Sequence, residues 1–235
     1  MPTPQEVLDG YAEGTPYAEL AEAYLTFDHP TGDAPLGLLV EAAASTTGQR
    51  YASGVRPTVE RFETSFLADD SLTSFADLAA LDIEDETLVE VIGAERKRHV
   101  LLEAAQVLAD RPEADDFDAL QGWASEADVY RYQRDPIGKI SGIGPSSFQY
   151  LRQLAGIDTA KPDPSLEQLV DVIRTEAVVA LLDTNEPLRT LASAEWLSLT
   201  TEYRLLEIDR LAWWTYTDSD ERDAVMELFE LTTTS

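Results

Sequence analysis

The apolar residues of this chain recur at helical rather than strand spacing along almost its whole length. The spacing predicts helices over 36–46, 51–66, 74–80, 84–92, 94–109 and 118–134, and four or five more over 164–231. In the fifth of these, Leu101, Ala104 and Leu108 fall on one face. Gly93 stands where a helix end favours a left-handed residue. No segment alternates as a strand does and no repeat occurs, so the expected fold class is all-α.

The amino-acid composition excludes several kinds of binding site and of protein. Its 235 residues, 44% of them apolar, are enough to bury one sizeable core. There is no cysteine, which excludes disulfides, thiolate zinc sites and cysteine-bound iron–sulfur clusters. The sequence contains no run of about 20 apolar residues and does not begin with a basic, then apolar, signal. We therefore expect a cytoplasmic protein with no membrane partner.

The charge balance is strongly acidic. Asp and Glu number 45 against 17 Lys and Arg, for a net charge of −28, and lysine occurs only at Lys97, Lys139 and Lys161. A surface of this kind repels nucleic acid at low salt. At about 1 M salt the Debye length is roughly 3 Å, so both self-repulsion and repulsion from DNA are screened. The composition is typical of a folded halophilic protein, and it neither favours nor excludes DNA.

One segment, residues 140–151, predicts both a specific turn and a binding site. Its sequence is ISGIGPSSFQYL. Gly142 and Gly144 flank Ile143 and are expected to form a tight turn, with Ile143 pointing inward. The following helix would begin with free backbone N–H groups, which can bind a phosphate without any basic side chain. The alternative is an ordinary corner between two helices.

This segment resembles the hairpin of the helix-hairpin-helix DNA glycosylase superfamily, which includes endonuclease III and the adenine glycosylases. Gly142 and Gly144 match the hairpin, and Asp163 falls on the aspartate that follows about twenty residues later. Glu41 falls on the glutamate that adenine glycosylases place in an early helix. Residues 88–100 resemble the helix before the hairpin. The similarity covers roughly 36–175 in the family's order.

The resemblance implies a bilobed helical domain spanning 1–235. In this arrangement 36–160 would form a six-helix barrel carrying the hairpin 140–151, and 1–30 with 161–235 would form a second lobe. Double-stranded DNA would cross the cleft, with one nucleotide flipped out of the stack. The protein would be a monomer without a cofactor. The resemblance leaves open whether a monovalent cation binds at the hairpin.

The implied function is hydrolysis of the N-glycosidic bond of a damaged or mispaired base in base excision repair. Asp163 would stabilise the cation-like sugar, and Glu41 would be the acid that protonates the leaving base. Ser146 occupies the place of the lysine that bifunctional members use, so the enzyme would be monofunctional, without lyase activity. The side chains expected to contact DNA are Ile143, Ser147, Lys139, Ser45, Thr46 and Gln49, together with Gly142 and Gly144.

Each assignment has a simpler alternative. Asp163 precedes Pro164 and suits a helix N-cap, Glu41 suits the solvated side of a helix, and Ser146 suits a first turn. Ser45 and Thr46 replace the glutamines with which relatives wedge the duplex apart. Two other functions therefore stay open: a catalytically inactive DNA-binding relative, and an unrelated helical interaction protein.

Overall fold

The computed structural model describes residues 1–68 and 71–230, and every regular element within these ranges is a helix. The α-helices are α1 (Pro4–Ala12), α2 (Tyr17–Leu25), α3 (Pro35–Ser45), α4 (Arg56–Phe62), α5 (Phe75–Ala79), α6 (Glu86–Val91), α7 (Glu95–Ala109), α8 (Asp116–Glu126), α9 (Pro145–Leu154), α10 (Pro164–Glu176), α11 (Pro187–Thr200), α12 (Leu205–Tyr216) and α13 (Ser219–Leu228). The π-helical turns Tyr51–Val55 and Glu63–Leu67 flank α4, and a 3-10 helix covers Val129–Arg134. The expected all-α class is confirmed. Leu231, at the end of the expected helices, lies outside the described residues.

The fold is organised around α3. Residues 36–44 are all buried, so α3 is covered on every side by α4, α7, α8, α9 and the turn Tyr51–Val55. Its sequence, PLGLLVEAAAS, is compatible with this position, because most of its side chains are apolar. Glu41 is the one charged residue of α3 and is carried into the core with it.

The two ends of the chain pack on each other. Helix α12 lies against α1, α2, α10 and α11, while α9 links this group to α3. The last helix, α13, packs instead on the turn Tyr51–Val55 of the middle segment. The helices packed on α12 form one group, and the helices packed on α3 form the other. Residues distant in sequence therefore face each other across the gap between these two groups. None of the helices in the described ranges is long and apolar enough to cross a bilayer.

Two local predictions were wrong. The single helix expected over 118–134 is interrupted, because Ala127 is extended and Asp128 accepts a hydrogen bond from Tyr130 N and starts a separate 3-10 helix. Gly93 is not left-handed. The guanidinium of Arg98 satisfies the carbonyls of Ile92 and Gly93 at 3.1 and 3.0 Å, which replaces the expected glycine cap.

Candidate active site

A cavity of about 560 Å³ opens between the two groups of helices. Its polar side is formed where α3 ends and where α9 and α10 begin. Its other walls are mainly aromatic and come from distant parts of the chain: Tyr24, Tyr51, Tyr150, Trp213, Tyr216 and Phe229. The cavity thus combines a polar rim with flat apolar walls, and its volume suits a small organic group.

Asp163 lies in the wall of this cavity at the start of α10. Its Oδ1 accepts hydrogen bonds from the backbone N–H groups of Ser165 and Leu166 at 3.0 and 3.1 Å, so it does cap the helix. Its Oδ2 lies 3.0 Å from Nζ of Lys161. The side chain keeps 22% of its surface exposed. Capping fixes the carboxylate in place without closing it off from the cavity.

Glu41 is fully buried, which rules out the solvated position that was its simpler alternative. Oε1 accepts a hydrogen bond from the hydroxyl of Tyr150 at 2.6 Å, and Oε2 accepts one from the hydroxyl of Thr31. Burial raises the pKa of Glu41, against the opposing effect of these two bonds and of Arg56 and Arg210. Glu41 does not line the cavity, but Tyr150 does. The hydrogen bond to Tyr150 therefore connects Glu41 to the wall of the cavity.

The hairpin agrees with the expected turn at one glycine and differs at the other. Gly142 has φ +110°, which favours glycine, and Ile143 packs partly buried against the core. Gly144 has φ −115° and ψ −178°, an ordinary extended conformation, and an added Cβ would meet nothing within 4 Å. The steric reason expected for Gly144 was therefore wrong.

The first turn of α9 has a tethered serine and free backbone donors. The hydroxyl of Ser146 donates to the carbonyl of Pro162, which ties the start of α9 to the loop before Asp163. The backbone N–H groups of Ser146 and Ser147 have no acceptor among the described residues. Both serines line the cavity. The hydroxyl of Ser146, a candidate catalytic group in the sequence, is therefore engaged in a contact that holds the loop.

The residues expected to contact DNA are divided by the structure. Ser45, Thr46 and Gln49 line the cavity. The hydroxyls of Ser45 and Thr46 donate to backbone carbonyls of their own helix, and Oε1 of Gln49 accepts from Nζ of Lys97 at 2.9 Å. Lys139 is exposed beside the hairpin and outside the cavity.

Sequence reasoning missed several residues of the cavity. Tyr150 lies four positions after Ser146 and so on the same side of α9, a spacing that could have identified it. Nζ of Lys161 lies 5.1 Å from the centroid of the Tyr150 ring. Arg210 is buried beside Asp209, with its guanidinium 4.7 Å from the centroid of the Tyr24 ring. No local pattern indicated that these side chains would meet.

Within the described residues, no group of three or more His, Asp or Glu side chains is arranged to hold a metal ion. Comparison with known proteins does not assign the chain to a family. No family profile matches the chain, and neither the curated proteins nor the solved structures include a significant match.

Proposed function

We propose that this protein is a monofunctional DNA glycosylase of base excision repair, which hydrolyses the N-glycosidic bond of a damaged or mispaired base in double-stranded DNA. One observation carries the proposal. A single cavity is lined by Asp163, by the first turn of the hairpin helix and by Tyr150, which is bonded to the buried acid Glu41. Glu41 is 109 positions before Tyr150 in the sequence, so the fold brings the acid to this segment.

The chemistry of the two carboxyl groups supports this assignment. Asp163 is held by backbone donors and by Lys161, and it presents a carboxylate to the cavity, where it would stabilise a cation-like sugar. Glu41 is desolvated, and burial raises its pKa, which favours the protonated form that an acid catalyst needs. Two carboxyl groups in opposite environments are the arrangement that glycoside hydrolysis requires.

The aromatic walls support a flat ligand. A nucleobase must leave the duplex before its glycosidic bond can be attacked, and it is then held by stacking. The wall residues offer rings for that contact, and a volume of about 560 Å³ has room for one base with its sugar. The shape of the cavity and the Asp163 carboxylate in its wall therefore support the proposal.

DNA contact would be made locally, against an unfavourable overall charge. Backbone N–H groups of Ser146 and Ser147 are free at the start of α9, where the helix dipole favours an anion. Arg96 and Lys139 add two exposed cations beside the hairpin, the former with its guanidinium 3.4 Å from the carbonyl of Gly142. Phosphate binding here depends mainly on the backbone, so it is compatible with an acidic surface.

The test is base release from a panel of lesion-containing duplexes in high potassium chloride, comparing the wild type with Asp163→Asn. Asparagine is also a good N-cap, so this change removes the charge and keeps the helix start. Asp115→Asn is the matched control, because Asp115 caps α8 in the same way at 2.9 Å from Asp118 N and does not line the cavity. We expect release by the wild type and by Asp115→Asn, and a loss of about 100-fold or more in Asp163→Asn. Equal release by all three would refute the assignment.

A catalytically inactive DNA-binding protein is the second candidate, and a specific observation favours it. Both oxygens of Asp163 already have partners, and the hydroxyls of Ser45 and Thr46 are bonded to their own helix. These residues could therefore be wholly structural. This candidate predicts duplex binding, measured by fluorescence anisotropy, that survives Asp163→Asn, with no base released from any duplex.

A further inference from the structure

The buried glutamate and the cavity are separated by one phenolic hydroxyl. Glu41 has no exposed surface and is not part of the cavity wall, so it cannot touch a bound base. Tyr150 connects the two, because it is one of the residues that line the cavity and its hydroxyl lies 2.6 Å from Oε1 of Glu41. Any proton that Glu41 supplies to the cavity by this route passes through Tyr150.

The hydrogen bonding of this hydroxyl can reverse. When Glu41 is ionised, Tyr150 and Thr31 both donate to it. When Glu41 is protonated, its own O–H can donate to Tyr150, since a phenolic oxygen accepts as well as donates. The hydrogen of Tyr150 would then no longer be held by Glu41 and would be available to a ligand in the cavity that Tyr150 lines. The hydroxyls of Glu41 and Tyr150 would then donate in sequence, from the acid to the ligand.

We propose that Tyr150 relays the proton of Glu41 to the base that leaves, so that the enzyme acts on uncharged bases, which need protonation to depart. This inference rests on the proposed glycosylase function. The Tyr150 O–H bond breaks and its proton goes to the base, while the Glu41 O–H proton moves to the Tyr150 oxygen. The glycosidic bond breaks with its electron pair on the base. Water adds to the sugar carbon, and Asp163 takes the proton that the water loses. Proton exchange with solvent then restores both carboxyl groups.

The groups around the relay are consistent with this direction of transfer. Arg56 and Arg210 favour the ionised product state of Glu41, while burial favours its protonated starting state. Burial raises the pKa of Tyr150 and the charge of Glu41 raises it further, so the tyrosine stays neutral and acts as a carrier. Other neighbours with titratable or hydroxyl side chains are Tyr24, Tyr51, His29 and Thr31, and Nζ of Lys161 lies 5.1 Å from the centroid of the Tyr150 ring.

Tyr51 provides a matched control. It lines the same cavity, and burial together with the charge of Glu41 raises its pKa, but the hydroxyls bonded to Glu41 are those of Tyr150 and Thr31. Tyr150→Phe and Tyr51→Phe each remove one hydroxyl from a tyrosine that lines the cavity. Only the first breaks a bond to Glu41.

The experiment compares two duplexes, one carrying the uncharged base that the wild type releases and one carrying N7-methylguanine, whose fixed positive charge makes protonation unnecessary. We expect Tyr150→Phe to slow release of the uncharged base by about 100-fold or more and to change release of N7-methylguanine by a few-fold at most. Glu41→Gln should give the same ratio, the double variant should add no further loss, and Tyr51→Phe should keep the wild-type ratio. Glu41→Gln also carries the test if Tyr150→Phe does not fold.

The outcomes separate the two proposals. Release that depends on Asp163 but slows equally for both bases in Tyr150→Phe overturns the relay and leaves the glycosylase assignment standing. Release of the cationic base alone by the wild type also overturns the relay. No release of any base overturns both. A second readout is infrared: a protonated-carboxyl band that disappears in Glu41→Gln and shifts in Tyr150→Phe is expected, and an unshifted band contradicts the contact.

Discussion

Replacing Asp209 by asparagine should remove a large part of the protein's stability, because it leaves a buried charge without its partner. Asp209 and Arg210 are 4% and 7% exposed, and Nε of Arg210 donates to Oδ2 of Asp209 at 2.9 Å. Burial opposes the charge of Arg210, but Asp209, Tyr24 and Tyr150 together outweigh it, so the pKa of the guanidinium is raised. The arginine remains charged after the substitution, because a guanidinium is not deprotonated in proteins, and Gln153 is its hydrogen-bond partner at 3.2 Å.

The expected magnitude follows from the type of pair. Breaking a buried ion pair by removing one partner costs about 3–5 kcal/mol. A domain has about 5–15 kcal/mol in total, so the loss is a substantial fraction of it. Oδ1 of Asp209 also accepts from the backbone N–H of Lys161 at 2.6 Å, and an asparagine oxygen can keep that bond. In a chain of this length the melting temperature should fall by roughly 6 to 20 °C.

Urea denaturation at neutral pH in high potassium chloride measures this loss. The control is Asp171→Asn, which breaks the pair with Arg174 at 2.6 Å, where the side chains are 46% and 41% exposed. That pair should contribute about 0.5 kcal/mol or less. Adding Arg210→Met to Asp209→Asn removes both buried charges and should recover most of the loss. Equal losses in Asp209→Asn and Asp171→Asn would refute the reasoning.

Four further predictions concern pH, the hairpin and salt. Burial, with Arg210 and Arg56 adding to it, lowers the pKa of His29 from 6.5 to about 4. Because the unfolded imidazole is protonated first, the wild type should lose about 3 kcal/mol relative to His29→Phe as the pH falls from about 6.5 to about 4; parallel urea curves would contradict this. Burial raises the pKa of Glu41 from 4.5, so the folded state holds that proton more tightly. The wild type should therefore lose stability relative to Glu41→Gln as the pH rises above about 4.5, and a gain would give the wrong sign. Gly142→Ala should cost about 1–3 kcal/mol in urea denaturation, since φ is +110° and the new Cβ would lie 3.0 Å from a methyl group. Gly144→Ala should stay within about 0.5 kcal/mol, so similar losses would contradict the assignment of strain. Duplex binding by anisotropy should strengthen as potassium chloride rises toward about 1 M, because the net charge of −28 is screened; steady weakening from low salt would contradict this.

Local sequence patterns predicted most of the helices but not where each one ends, and no helix was predicted over Pro4–Ala12. The apolar periodicity of 36–46 places α3 within one residue at each end, because little else competes there. The same reasoning predicted one continuous helix across the break at Ala127. Periodicity does not detect the short-range hydrogen bond by which Asp128 starts a new helix. At Gly93 the capping groups come from Arg98, a residue that reaches back from the next helix.

The candidate site shows a similar division. Asp163 and the hairpin stand in one continuous segment, so a linear pattern was able to indicate both. The aromatic walls could not be predicted in this way, because residues such as Tyr24 and Phe229 meet only after the two ends of the chain have packed. The burial of Glu41 required knowing that α3 is covered on every side, whereas its sequence alone also fitted a helix with one wet face.

The net charge of the chain and the charges at the cavity are separate quantities. Lys161, Arg50 and Arg210 line the cavity, and each is paired with an aspartate: Lys161 with Asp163 at 3.0 Å, Arg50 with Asp218 at 2.7 Å, and Arg210 with Asp209. Few cations are available to this chain, and three of them are placed where ligand would bind. Long-range repulsion between acidic surfaces and DNA falls with ionic strength, while contacts that exclude water are screened much less. An acidic exterior can therefore coexist with a nucleic-acid site when the solvent is salty, because salt removes the repulsion at a distance and leaves the short contacts of the cavity in place.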